Sequence, residues 1–99
     1  MILIRRSTMS NSSLVNKRII TSHSSSRMGS KITTIIIHHM AGNLSIEQCG
    51  RVFQTRQAST HYGIGSDGRI GQYVDEAYRA WSVANKLGDA KAVTMELAN

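Results

Sequence analysis

From Ile32 onward the apolar and polar positions of this chain fall into recognisable periods, whereas before it the apolar residues come only in short clusters, Met1-Ile-Leu-Ile4 and Ile19-Ile20. Lys31-Ile-Thr-Thr-Ile-Ile-Ile-His38 is a β-branched run of strand length. It is too apolar on both faces for an exposed edge and predicts a central strand of a covered sheet. His38 and His39 close the run, and Met40-Ala-Gly-Asn43 reads as a turn. Ser45 is a good helix N-cap, Gln48 stands three residues on as in a capping box, and Glu47 places negative charge at the positive end of the helix. Ile46, Cys49, Val52 and Phe53 then share one side of that helix. His61 to Val74 reads as two short strands joined at Ser66-Asp67-Gly68, with Gly63, Gly65 and Gly71 marking close backbone approach. Asp75 to Tyr78 reads as a turn or short helical piece. Ala92-Val-Thr-Met-Glu-Leu97 is a last strand with Ala92, Thr94 and Glu96 on one face. The order of elements predicts an α/β fold, a mixed β-sheet flanked by helices.

Charge divides the chain at the same place. The net charge is +6, and all of it resides in the first 31 residues, where Arg5, Arg6, Lys17, Arg18, Arg27 and Lys31 meet no acid. The remainder is neutral, and its aromatic residues are not interleaved with a basic stripe, which argues against specific nucleic-acid binding. Nine of the thirteen serines also precede Ile32. We therefore expect residues 1–30 to form a basic, Ser-rich leader, flexible in part, and residues 31–99 to form the folded domain. Its composition fits a flexible polar arm, with an organellar transit segment as the alternative. The apolar cluster at Met1 is too short for a signal peptide, and no stretch approaches a membrane span. Ninety-nine residues also exclude a second folded domain, since a chain this short buries only about 60–65% of its unfolded surface.

Two positions carry candidate chemistry. His38 and His39 lie at the C-terminal end of a strand, where ligand sites of open α/β sheets form. Neighbouring strand residues point to opposite faces, so at most one of them is a metal ligand, the alternative being a structural role for both. Glu96 is a carboxylate in an otherwise apolar strand and marks either a site or simply a wet face. Cys49, the one cysteine, cannot form an internal disulfide and reads as a small buried residue. Glycine-rich phosphate loops, a Gly-x-Ser-x-Gly elbow and paired Cys-x-x-Cys motifs are missing from the sequence.

Taken together, Ile35-Ile-Ile-His-His-Met-Ala-Gly42, Tyr62-Gly-Ile-Gly-Ser-Asp-Gly-Arg-Ile-Gly-Gln-Tyr-Val-Asp-Glu76, Arg79-Ala-Trp81 and Val93-Thr-Met-Glu-Leu-Ala-Asn99 resemble the zinc-dependent N-acetylmuramoyl-L-alanine amidases. That family includes phage endolysins and the peptidoglycan-recognition fold, and phage and prophage amidases of Gram-positive bacteria are the nearest in pattern. The resemblance implies that His38 is a zinc ligand and that Glu96 activates the zinc-bound water for attack on the amide between muramic acid and L-alanine. It implies bacterial peptidoglycan as partner, with synthesis in the bacterial cytoplasm and action on the cell wall.

Three departures qualify the resemblance. Thr60 stands where some members carry a catalytic tyrosine, leaving Tyr62 as a packing residue. Ser82 stands where many carry a histidine, and a hydroxyl cannot replace an imidazole in proton transfer. Family domains also continue beyond the Glu96 strand with further zinc ligands, so this chain reads as an N-terminal part with an incomplete site. His39 points the wrong way, His23 lies in the leader, and His61 is only a conceivable cross-strand substitute. Zinc is expected to bind weakly or not at all to this chain alone. A sheet face left without its helix is expected to be exposed or buried in a homo-oligomer. The alternative function is a zinc-free module that binds muropeptide without cutting it.

Overall fold

The structure, a computed structural model, describes residues 11–40, 42–82 and 86–98; the apolar cluster at Met1, the basic pair Arg5 and Arg6, and Ala41 and Asn99 of the motifs above lie outside them. Among the described residues seven strands and two helices follow in the order β1 (Lys17–Arg18), β2 (Ser24–Ser26), β3 (Thr34–His39), α1 (Ile46–Thr55), β4 (Tyr62–Ile64), β5 (Ile70–Gln72), β6 (Tyr78–Ala80), α2 (Lys86–Ala90) and β7 (Ala92–Leu97). A five-stranded sheet has the order β1-β5-β4-β7-β3, and β2 pairs with β6 in a separate ribbon. β7 runs parallel to both β3 and β4, β4 and β5 form the antiparallel hairpin, and β1 adds parallel to β5. The mixed α/β architecture is the one the sequence pattern predicts. Among the described residues no helix is long and apolar enough to cross a membrane.

α1 begins as its capping box dictates. Gln48 N–H donates to Ser45 Oγ at 3.1 Å while Ser45 N–H donates to Gln48 Oε1 at 2.8 Å. Two of the helix's four unpaired amino-terminal donors are thereby satisfied or shielded. Its apolar side buries Ile46, Cys49 and Phe53, and Cys49 and Phe53 meet Met40 and Tyr73 in the core. Tyr73 is the keystone of this layer. Its ring lies edge-on to Phe53, centroids 5.2 Å apart, and its hydroxyl donates to Ile46 O at 2.9 Å. The hairpin glycines make room for it: a Cβ on Gly63 or on its register partner Gly71 would stand 2.9 Å from Tyr73 atoms. The hairpin turn falls where expected, with Gly68 at φ +83°.

Two expectations are corrected. The isoleucine run is an edge strand, not a central one, because β3 pairs on one side only, with β7, which itself lies between β3 and β4. Ile35 and Ile37 are 66% and 59% exposed, since an apolar run reports what its faces could bury and not which neighbour pairs with it. The leader between residues 11 and 30 is likewise no loose arm. Asn16, Ile19 and Thr21 N–H groups donate to Ile70, Gln72 and Tyr73 carbonyls at 2.8–3.0 Å, and Thr21 Oγ1 donates to Phe53 O at 2.7 Å. Gly50 lets this segment cross α1, for a Cβ there would meet Ile19 Cγ2 at 2.8 Å. Lys17 and Arg18 reach Glu47 and Asp75 at 3.6 and 3.8 Å. The pattern gave no warning of β1, β2 or β6, because these short edge strands are held by backbone pairing and carry mostly polar side chains.

Arg27 is the deepest anchor of that segment and is only 7% exposed. Its Nε donates to Glu76 O at 2.7 Å, and its Nη1 donates to Ala90 O and Ala92 O at 2.8 and 3.0 Å. Its Nη2 lies 3.0 Å from His61 Nε2. His61 is fully buried; Thr94 N–H donates to its Nδ1 at 3.1 Å, which leaves the ring hydrogen on Nε2 to donate to Tyr78 O at 2.8 Å. Burial, reinforced by the adjacent guanidinium, pulls the His61 pKa down to about 4.

Replacing Arg27 with Met leaves several buried carbonyls without donors and should destabilise the fold by about 2–4 kcal/mol in urea unfolding. His61 generates a pH dependence with a definite sign. Its folded pKa lies below the unfolded value, so the unfolded chain takes up the proton first as pH falls, and stability present above about pH 6.5 is lost progressively toward pH 4. The loss should approach 3 kcal/mol, roughly, by pH 4. A His61→Gln variant, though less stable at neutral pH, should show a flatter profile across that window.

Candidate functional site

Register partners on neighbouring strands share a face of the sheet. Lys17, Gly71, Gly63, Glu96 and His38 consequently form one row across all five strands, on the side that carries α1. The glycine half of this row is filled by Tyr73 and covered by α1. The other half holds Glu96 and His38 side by side, and His39, the last residue of β3, borders the cleft that opens beside Glu96.

That cleft has a volume of about 570 Å³; Met40 and Leu44 border it together with His39, and His38 is not among the residues that line it. Cys49, Val52 and Phe53 of α1 form one wall, Ala58 to Thr60 with Trp81 and Ser82 form the other, and Glu96 reaches in from the sheet. Trp81 is fixed from behind by the N-terminal segment: its Nε1 donates to Ser25 Oγ at 2.9 Å and its ring stacks on His23 at 5.2 Å. Ser82 Oγ donates to Ser59 O at 2.7 Å and lies 2.7 Å from Thr94 Oγ1, so it braces the wall. Thr60 Oγ1 donates to Tyr62 O at 3.0 Å.

Burial raises the Glu96 carboxyl above its ordinary range, with His38 pulling the other way. Cys49 Sγ donates to Glu96 Oε2 at 3.8 Å. Burial, with Glu96 adding to it, pushes that thiol up to about 12, so it remains a protonated donor. Cys49 is the small buried residue expected from the helical pattern, and its contact with the carboxylate is something the pattern did not show. His38 Nε2 is buried and has no hydrogen-bond partner. A buried imidazole nitrogen without a partner, beside a carboxylate, is what a ligand or metal would satisfy.

The remaining sequence candidates are accounted for elsewhere. His61 has both ring nitrogens engaged inside the core, and His23 is stacked on Trp81. Tyr62 is buried; its hydroxyl donates to Glu76 and accepts from Ser12 N–H at 2.8 Å, tying the N-terminal segment to the segment after β5. Among the described residues no three His, Cys, Asp or Glu side chains converge to hold a metal, and the undescribed positions contain none of these residue types. Catalytic zinc takes three protein ligands and one open position.

Arg56 also borders the cleft; the helical pattern places it with Gln48 and Arg51, away from the apolar side, and so gives it no part in a site. Its charge draws on Glu96 through space.

No curated protein sequence matches the chain. A crystal structure of a selenomethionine derivative of AmpD is similar in fold, with a TM-score of 0.72 and 18% sequence identity over 90% of this chain. The chain spans 63% of the length of that structure. Residues 28–99, which include the glycine hairpin, Trp81 and the His38–Glu96 pair, match the sequence family of N-acetylmuramoyl-L-alanine amidases. The chain belongs to that family.

Proposed function

We propose that this chain serves the hydrolysis of peptidoglycan at the amide joining the lactyl group of N-acetylmuramic acid to L-alanine, as the phage and prophage amidases it resembles do, with the cell wall as its place of action. The observation that carries this reading is the His38–Glu96 pair: two polar side chains in register, Glu96 a carboxylate that lines the cleft in a poorly hydrated setting and His38 its strand neighbour with an unused buried nitrogen. In this reading Glu96 receives a proton from the attacking water and returns it to the departing nitrogen of L-alanine. The water oxygen forms the new bond to the lactyl carbonyl carbon as the carbon–nitrogen bond breaks. Cys49 holds the carboxylate from the helix side, and Trp81 and Phe53 supply apolar walls that limit water.

His38 is then this chain's contribution to a zinc centre whose remaining ligands have to come from polypeptide outside these 99 residues. The shortfall of donors favours a second reading, in which the chain by itself binds muropeptide and does not cut it.

Cleavage of purified muropeptide, measured together with zinc content, separates the two. Where wild-type chain cleaves, Glu96→Gln should lower the rate by about a hundredfold or more while retaining substrate binding, and His38→Ala should abolish zinc retention. Cleavage indifferent to Glu96→Gln would remove the assigned base. Binding without cleavage, at any zinc concentration, selects the second reading.

A further inference from the structure

We propose that Arg56 is the specificity residue of the cleft and that it anchors a free carboxylate on the peptide following L-alanine. This rests on the muropeptide reading above and adds to it the charge of the ligand selected.

The argument begins with donors. Ser59 Oγ donates to His23 O at 2.6 Å; Thr60, Ser82 and the indole of Trp81 are likewise committed to protein partners. These four side chains are therefore already satisfied and offer a ligand little. Arg56 differs from them. Its backbone N–H is fixed, donating to Val52 O at 2.9 Å at the end of α1, but the side chain is exposed, and among the described residues it makes no hydrogen bond or ion pair. Arg69 shows the contrast: its guanidinium is held by Glu47 at 2.6 Å and Asp67 at 2.8 Å.

The cleft thus presents a carboxylate, Glu96, a histidine, His39, and an uncommitted guanidinium, Arg56, which is the one permanently charged cation among the lining residues. An anion entering it meets repulsion from Glu96, which favours placing the ligand's neutral amide there and its negative charge at Arg56. A guanidinium has five N–H donors in a planar fork that matches a carboxylate two bonds at a time, a geometry that lysine does not reproduce. Peptidoglycan stems supply such a group immediately after L-alanine, in an acidic residue whose carboxyl is either free or amidated. Arg56 would read that difference.

The test is calorimetric titration of the full chain with N-acetylmuramoyl-L-alanyl-D-glutamate and with the same compound carrying both carboxyls as amides. Wild-type chain should bind the charged compound about tenfold more tightly at low salt, and the difference should narrow as salt rises because Arg56 is exposed. Arg56→Gln should bring the two affinities to within about twofold of one another, and Arg56→Lys should restore only part of the preference. Equal affinities in wild type, or a preference that survives in Arg56→Gln, would overturn the role of Arg56 and leave the muropeptide reading standing. Failure of wild type to bind either compound would overturn both.

Discussion

The position of β7 between two parallel partners is the constraint on which the rest of this molecule depends. β7 pairs with β3 on one side and β4 on the other, and its register sets Glu96 opposite His38 and opposite Gly63 at once. A slip of one residue would turn Glu96 to the opposite face, away from the cleft, and would turn Thr94 away from the buried imidazole of His61. The same register therefore builds both the candidate site and the polar core beneath it. Parallel strands need long connections, and here the connection leaving β3 contains α1, the helix that walls the cleft.

The row of residues across the sheet is asymmetric, and the asymmetry makes a cleft. At Gly63 and Gly71 the backbone has no side chains to offer, so the Tyr73 ring settles onto it and α1 packs closely above. At Glu96 the side chain projects into the cleft and meets α1 through Cys49. Apolar packing on one half thus holds two polar groups on the other half at partial burial, where a carboxyl is held above its ordinary range and an imidazole nitrogen is left without a partner. Fold stability and chemical potential are in this sense neighbours on a single line of residues.

The N-terminal segment changes the meaning of the chain's basic charge. Lys17 and Arg18 sit on an edge strand beside acids, and Arg27 is spent inside the core on carbonyl groups from three places in the chain. The segment also supplies the surfaces on which Trp81 rests, His23 and Ser25. Although the family match begins only at residue 28, the cleft wall depends on residues that precede it.

Much of this was legible without coordinates. Apolar periodicity located α1, its cap, the hairpin and β7, because each is a local pattern whose period reports directly which side of the element is buried. The motif string singled out His38 and Glu96. Pairing partners were not legible: that the isoleucine run lies at an edge, that a serine-rich leader adds strands, and that Arg27 is a core residue all follow from contacts between segments far apart in the chain. Nor could the sequence show that Arg56 shares a cleft with Glu96, or that Cys49 touches that carboxylate. Local pattern determines what an element is and which face it buries; only the closing of the sheet decides what that face meets, because hydrogen-bond register is a relation between two strands and belongs to neither sequence alone.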